Sequence, residues 1–378
     1  MRILLSVTFA VLACAVVVSA SERKTSPHEF VFALPGYQFS FPQDHGSHNS
    51  FQTEWWYYSG QVRSGTGQAF GYQLTFFRHG LEPNLLQANP SRWAMTHLYF
   101  AHFALTDIHN SEFWYAEKLS RATMGKAGAD SDRLSVWVDN WSVDTDGWTH
   151  YLDAELRSTD TKQVLAEINF ELVPEKPPIV HGTEGISKKG AKHGQASHYY
   201  SMPRLRTTGR LTVNGEVHLV NGMSWLDHEF GTNQLGSQQV GWDWFGLQLD
   251  DGSELMLYQL RRDNGTSDPA SSGSLITPDA QAVHISSDEF RLEPLSTWTS
   301  PKSNAVYPSS WRLTLPGHQL ILNVVPYMNA QELVTEKSTR ITYWEGAVRV
   351  HGQKANTPIQ GQGYMEMTGY AEPLNQRF

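Results

Sequence analysis

The sequence predicts an all-β fold built as two tandem antiparallel β-barrels. Three observations carry that expectation. Segments of five to nine residues rich in β-branched and aromatic side chains recur between Gly, Asn, Asp and Pro, the spacing of strands and turns in barrels and sandwiches. Helical periodicity is almost absent beyond residue 20. The two halves also echo each other, because a Trp-led hairpin carries Tyr-Gln-Leu on its second strand at 72–74 and again at 258–260.

The elements follow in order. Residues 1–20 read as an export leader, with Arg2, an apolar run and the small residues Val18-Ser19-Ala20 that a signal peptidase reads, so cleavage is expected after Ala20. The expected location is periplasmic or extracellular. Cys14, the single cysteine, lies in "VLAC", which resembles a lipoprotein acylation box and offers a lipid anchor as the variant. A chain cut after Ala20 keeps no cysteine, so its stability rests on core burial rather than disulfides. "EWWYYSGQV", "AFGYQLTFF", "HLYFAHFALTDI", "EFWYAEKL", "LSVWV" and "HYLDAELRS" read as strands of a first barrel over residues 21–190. Pro174 to Ser197, rich in Pro, Gly and Lys, reads as the connection or as a long loop over a barrel mouth, with Lys188 and Lys189 on the solvated surface. The second unit, residues 191–378, opens with "RLTVNGEVHLV", where Asn214-Gly215 signals a type I′ hairpin turn. "GWDWFGLQLDDGSELMLYQLR" turns at Asp250-Asp251-Gly252, and "ITYWEGAVRVHG" and "GQGYMEMTGY" close the chain.

Composition bounds the function. With 378 residues, 40% hydrophobic and 18% charged, the chain can bury a large core and is not of the disordered class. Its 13 Trp, 15 Tyr and 17 Phe suit pleated strands and pockets for flat or greasy ligands. A net charge of -9 without a basic cluster argues against a nucleic-acid partner.

Chemistry concentrates in "SWLDHEFGTNQLGSQQVGWDWFGLQL", where Asp227, His228, Glu229 and Asp243 lie among Trp225, Phe230, Trp242, Trp244 and Phe245. Carboxyl and imidazole groups held against apolar surface have displaced pKa values, which is what acid–base chemistry uses; a satisfied core network is the other reading. Strand alternation puts Asp227 and Glu229 on the face of Trp225, and His228 and Phe230 on the face of Leu226. It likewise sets Asp243, Phe245, Leu247 and Leu249 against Trp242, Trp244, Gly246 and Gln248. Three consecutive potential ligands on one strand cannot all face one way, so neither metal nor other cofactor is expected. No Gly-x-Ser-x-Gly elbow is present for a serine hydrolase. Glu54 precedes four aromatic residues and shares a face with Trp56 and Tyr58. His97 and His102 fall on opposite faces and read as separate, satisfied histidines. His198, Tyr199 and Tyr200 stand at the start of a new strand series, as a pocket rim or an ordinary hydrogen-bonded loop.

"EWWYYSGQV", "AHFALTD", "YYSMPRLRTTGRL", "GMSWLDHEFG", "VGWDWFGLQLDDGSELMLYQLR", "YWEGAVRVHG" and "GQGYMEMTGY" together resemble the signature blocks of the AttH/carotenoid 1,2-hydratase-like family, in order from Glu54 to Tyr370. The resemblance implies two lipocalin-like barrels and, by analogy with the hydratases, an acid–base role for Asp227 and His228. Phe230 stands where such hydratases often carry Trp, a better ring for a carbocation. The expected function is therefore an exported hydratase- or hydrolase-like enzyme acting on an apolar or isoprenoid-type molecule. Asp227, His228, Asp243 and Tyr258 are the expected catalytic set, with Glu54, Trp55, Tyr57, Phe230, Trp242 and Trp244 as the binding wall. The second reading is a non-catalytic carrier of a lipophilic ligand working with a membrane transport system.

Overall fold

The computed structural model describes residues 30–81, 96–233 and 235–374; the leader and Cys14 lie outside the described residues. Strand alternation resolves into two antiparallel, barrel-like sheets. In the first, the neighbours run Glu112–Arg121, His97–Asp107, Ala69–Gly80, Thr53–Ser64, Glu216–Asn233, Ala196–Val213, Val164–Pro174, His150–Arg157, Trp141–Thr145, Ser135–Val138 and Ala127–Ala129. Its two end strands are consecutive in the chain, and the sheet curls into a nearly closed barrel. In the second the order is Ala282–Ser286, Ser272–Ile276, Glu254–Arg262, Gln239–Leu249, Thr357–Thr368, Thr342–Lys354, Leu320–Pro326, Val306–Leu315 and Arg291–Thr299, a half-barrel.

Each sheet buries the face that its alternation makes apolar. Trp56, Tyr58, Tyr72, Leu74, Phe76, Phe103, Leu105 and Leu226 fill the first barrel. Phe245, Leu247, Leu249, Leu257, Trp311, Trp344, Met365 and Met367 fill the concave side of the second.

Sheet membership changes between Asn233 and Gln239, not at the expected 190/191. The long hairpin Ala196–Val213/Glu216–Asn233 is hydrogen-bonded to Thr53–Ser64 on one side and Val164–Pro174 on the other, so it completes the first barrel. Its Leu205, Leu211, Val213, Val220 and Leu226 are buried in that core. Asn214 and Gly215 turn it with φ of 51° and 85°, the pair of positive values that the type I′ signal requires. The Pro174–Ser197 stretch is therefore a loop of the first barrel. Ile179–Val180 and Ser187–Lys188 pair with the Ala196–Val213 strand, and Lys176, His181 and Lys189 are buried.

The outer face of the barrel packs on the convex face of the half-barrel. Gln61 Nε2 donates across to the carbonyls of Val348 (2.8 Å) and Gly363 (2.9 Å), and Gln248 Nε2 reaches back to those of Pro203 (2.8 Å) and Ser224 (3.0 Å). Gly71 permits the approach, because a Cβ there would meet the Cβ of Ala347 at 2.6 Å.

Candidate functional site between the two sheets

Register sets two rows of side chains opposite one another. On the barrel, Thr75, Tyr57, Asp227 and Ser201 lie side by side across four strands. On the half-barrel, Glu345, Glu366, Trp244 and Tyr258 do the same. Same-face neighbours on paired strands stand close enough to touch, so each row is a continuous surface. The rows meet where the rings of Tyr57 and Trp244 pack edge to face at 5.2 Å, with Trp225 against Trp244 at 6.2 Å.

Asp227 is the centre of the barrel row. Tyr199 Oη donates to its Oδ2 at 2.5 Å, Trp225 Nε1 to its Oδ1 at 2.6 Å, and Ser201 Oγ also donates to Oδ1. Tyr199 in turn accepts from Trp244 Nε1 at 3.1 Å, tying the carboxyl to the opposite sheet. His181, kept neutral by burial, bridges Ser201 (2.6 Å) and Ser274 (2.9 Å). Burial pushes the Asp227 carboxyl up to about 7, against the Ser201, Tyr199 and Trp225 hydrogen bonds, which favour its charge. One residue pair along the strand, Glu229 is held by Ser197 and by Lys189 Nζ at 2.9 Å. Burial disfavours the Lys189 ammonium, but Glu229 more than compensates, and the group is raised. Lys189 also lies 4.2 Å from the Tyr258 ring centre. The Tyr258 hydroxyl is itself bonded to Ser187, Ser272 and the Lys188 carbonyl.

Two carboxyls face these from the half-barrel. Trp242 Nε1 donates to Glu366 at 2.9 Å; burial, with Asp227 and Glu229 adding, pushes Glu366 up to about 7. Glu345 is raised well above the usual range by burial first and by Glu366 second. The site thus gathers carboxyls whose protonated forms burial favours, between walls of indole and phenol rings. Further along the interface, past Gln248, a cleft of about 490 Å³ opens among Arg63, Arg204, Met223, Tyr327 and Arg349.

The structure places Asp227, Tyr57, Trp55, Trp242, Trp244 and Tyr258 at this interface, and four expected residues elsewhere. His228 points into the barrel, stacked on Trp56 at 4.8 Å, so Asp227 and His228 are back to back across the strand and do not act as a pair. Glu54 joins His228 there: His228 Nε2 lies 2.8 Å from Glu54 Oε1, and Arg78 Nε donates to Glu54 Oε2 at 2.9 Å. Burial would raise the Glu54 carboxyl, but Arg78 and the two imidazoles hold it well below the usual range. Phe230 stacks on His48 at 3.5 Å beneath the N-terminal segment. Asp243 faces the second core, 3.1 Å from Arg261 Nε and bonded to Tyr370. In each case the alternation was correct, but the face carrying the residue is not the face that meets the other sheet.

Tyr199, read as a pocket rim or a hydrogen-bonded loop, and Lys189, expected on the solvated surface, enter the site with Ser201, Glu345 and Glu366, which were not singled out. The signal for the two glutamates was a lone carboxylate among large side chains in "YWEGAV" and "YMEMT", the same pattern that marked Glu54. His48 Nδ1, Glu54 Oε1 and His228 Nε2 lie within 4.8 Å of one another and could hold a divalent cation. Arg78 on the second Glu54 oxygen, Asp44 on His48 and Tyr200 on His228 satisfy the same groups as an ion network.

These features define a two-sheet β protein with a buried cluster of carboxyl, phenol and indole groups at the inter-sheet face. The chain belongs to the AttH-like family, whose model matches residues 32–370. It is similar to a crystal structure assigned to AttH from Nitrosomonas europaea, at 33% identity over 90% of this chain and 100% of that one, with a TM-score of 0.79. The fold is shared with kievitone hydratase from Nectria haematococca, at 15% identity and a TM-score of 0.68 over 91% and 97% of the two chains. CghA bound to Sch210972 shares it at 12% identity and a TM-score of 0.52 over 89% and 94%. A curated relative, dehydratase asqC from Emericella nidulans, is 25% identical over 202 residues, 50% of this chain and 54% of that protein. The match thus spans about half the length of that relative. The curated relative is named as a dehydratase, and one of the structures that share the fold is named as a hydratase.

Proposed function

We propose that this protein is a hydro-lyase that adds water to, or removes it from, a hydrophobic small molecule held between the two sheets, with Asp227 as the proton carrier. The observation that carries the reading is the Asp227 carboxyl: buried, aimed at the opposite sheet, oriented by three donors and poised near neutral pH. Glu366, poised in the same range, can work in the opposite direction, one group giving a proton while the other takes one. Trp225, Trp242 and Trp244 supply apolar wall and π-faces for developing positive charge. A serine-hydrolase triad does not fit, because Asp227 binds Ser201 itself, while the second nitrogen of His181 goes to Ser274. The names of the water-adding and water-removing relatives support the same reaction class. Export through the leader belongs to the proposal and rests on Arg2, the apolar run and Val18-Ser19-Ala20.

The test is a panel of prenylated phenols and β-hydroxy ketones, followed by mass spectrometry for gain or loss of one water. Asp227→Asn should lower turnover by about 10²–10⁴-fold, the usual contribution of a general acid or base. His228→Gln should leave the chemical step in place. Turnover of Asp227→Asn at the parent rate would refute the assignment.

A further inference from the structure

Three buried polar atoms at the inter-sheet face have no aligned hydrogen-bond partner: Tyr57 Oη, Gln73 Nε2 and Glu345 Oε1. Their residues are 8%, 0% and 2% exposed. Unsatisfied groups at that depth are costly and uncommon, and three in one place call for an occupant. They belong to one place. Tyr57 lies against the Glu345 carboxyl, which raises its hydroxyl after burial does. Gln73 is on the same outward face as Tyr57, diagonal to it across the paired strands, and approaches Tyr343, two residues before Glu345. Tyr57 is also the direct cross-strand neighbour of Asp227.

The chemistry of the three is one-sided. Gln73 Oε1 already accepts from Thr75 at 2.8 Å, so what remains free is its N–H donor. The Tyr57 hydroxyl can donate. Glu345 lies beside Glu366 without a cation among its partners, and burial and that neighbour both favour its protonated form. The Tyr57 hydroxyl, beside Glu345, and the Gln73 amide, beside Tyr343, are donors without an aligned acceptor, and an oxygen that brings no hydrogen of its own would suit both.

We propose that Tyr57 and Gln73 form an oxygen-binding subsite for a carbonyl group, with Glu345 beside it as a proton donor, so that the substrate is a β-hydroxy ketone or its enone rather than an isolated alkene. The inference rests on the hydro-lyase reading of the Asp227 site. In the eliminating direction, the Asp227 carboxylate takes the proton α to the carbonyl, and the C–H electron pair moves into an enolate whose oxygen Tyr57 and Gln73 hold. As that pair forms the C=C bond, the β C–O bond breaks, and Glu345 gives its proton to the departing hydroxide, which leaves as water. The proton on Asp227 then returns to Glu345, with Glu366 between them, restoring both groups. Hydration is the same sequence reversed.

Matched probes test the subsite without turnover. 4-Phenyl-3-buten-2-one and 1-phenyl-1-butene have nearly the same shape, but only the first has a carbonyl. Titration calorimetry on the full protein should show the ketone bound tighter by about tenfold or more, the worth of a buried hydrogen-bonded oxygen. Tyr57→Phe and Gln73→Leu should each shrink that ratio towards one while leaving hydrocarbon affinity unchanged. Tyr57→Phe removes an unpaired buried donor, so its folding should be preserved or improved; Gln73→Leu also takes the acceptor of the Thr75 hydroxyl and should lower stability without unfolding the protein. Equal affinity of the parent for the two probes, as expected if fixed waters alone satisfy the three groups, overturns the subsite; so does failure to bind the ketone, or an unchanged ratio in both variants. Asp227→Asn should keep the ketone preference. If it kept full turnover as well, the Asp227 role would fall while the subsite stood.

Discussion

Replacing Asp227 by Asn should flatten the pH dependence of stability, and the structure indicates by how much. The carboxyl is raised from 3.8 to about 7 by burial. A group whose folded pKa is raised contributes its stability fully below the unfolded value and loses it as pH climbs through the folded value. For Asp227 the loss therefore runs from about pH 4 to about pH 7, and at about 1.4 kcal/mol per pH unit it totals about 4 kcal/mol. Asparagine stays neutral throughout. Its amide oxygen can still accept from Ser201 and Trp225, and Tyr199, which already accepts from Trp244, can turn its hydroxyl to accept from the new N–H. The assay is urea denaturation of both proteins at a series of pH values from about 4 to 8. The variant should be no more stable than the parent at the acid end and should gain on it by a few kcal/mol at the alkaline end. Glu366, which Asp227 helps to raise, should itself titrate somewhat lower in the variant. Parallel stability curves across the whole range would refute the claim that Asp227 is buried with a raised pKa.

Other outcomes follow from the same packing. Trp244→Ala removes a buried ring and the Tyr199 bond, and should lower stability by about 3–5 kcal/mol in chemical denaturation, with weaker ligand binding. Lys189→Met leaves Glu229 without its ammonium partner and should cost about 3–5 kcal/mol; adding Glu229→Gln should recover much of it, which a double-mutant cycle would read. His228→Gln should destabilise by about 1–3 kcal/mol through the Glu54 network while sparing turnover, a combination that separates a structural histidine from a catalytic one. Intact mass of secreted protein should show a chain beginning at Ser21; an acylated Cys14 would replace simple secretion with an anchored form, and a soluble cytosolic chain retaining Met1 would refute export.

Local rules decided a good deal of this protein from the sequence. The period-two alternation sorted Trp225, Asp227 and Glu229 from Leu226, His228 and Phe230, and Trp242 and Trp244 from Asp243, and each sorting holds in the structure. Asn214-Gly215 made its turn because two adjacent positive φ angles are available to few residue pairs. What alternation cannot say is which surface each face will meet. His228 meets Glu54 across 174 residues of chain, and Gln61 crosses to Val348 over 287. The pairing of the Ala196–Asn233 hairpin with Thr53–Ser64 decided that Asp227 would look out of the first barrel and His228 into it. The docking of the half-barrel then set Glu345 and Glu366 before Asp227 and drew Lys189 from the expected surface into an ion pair with Glu229. A strand's side-chain period is a property of its own backbone, whereas its sheet neighbours and the face packed over it are set by burial summed over the whole chain, and only the tertiary structure carries that sum.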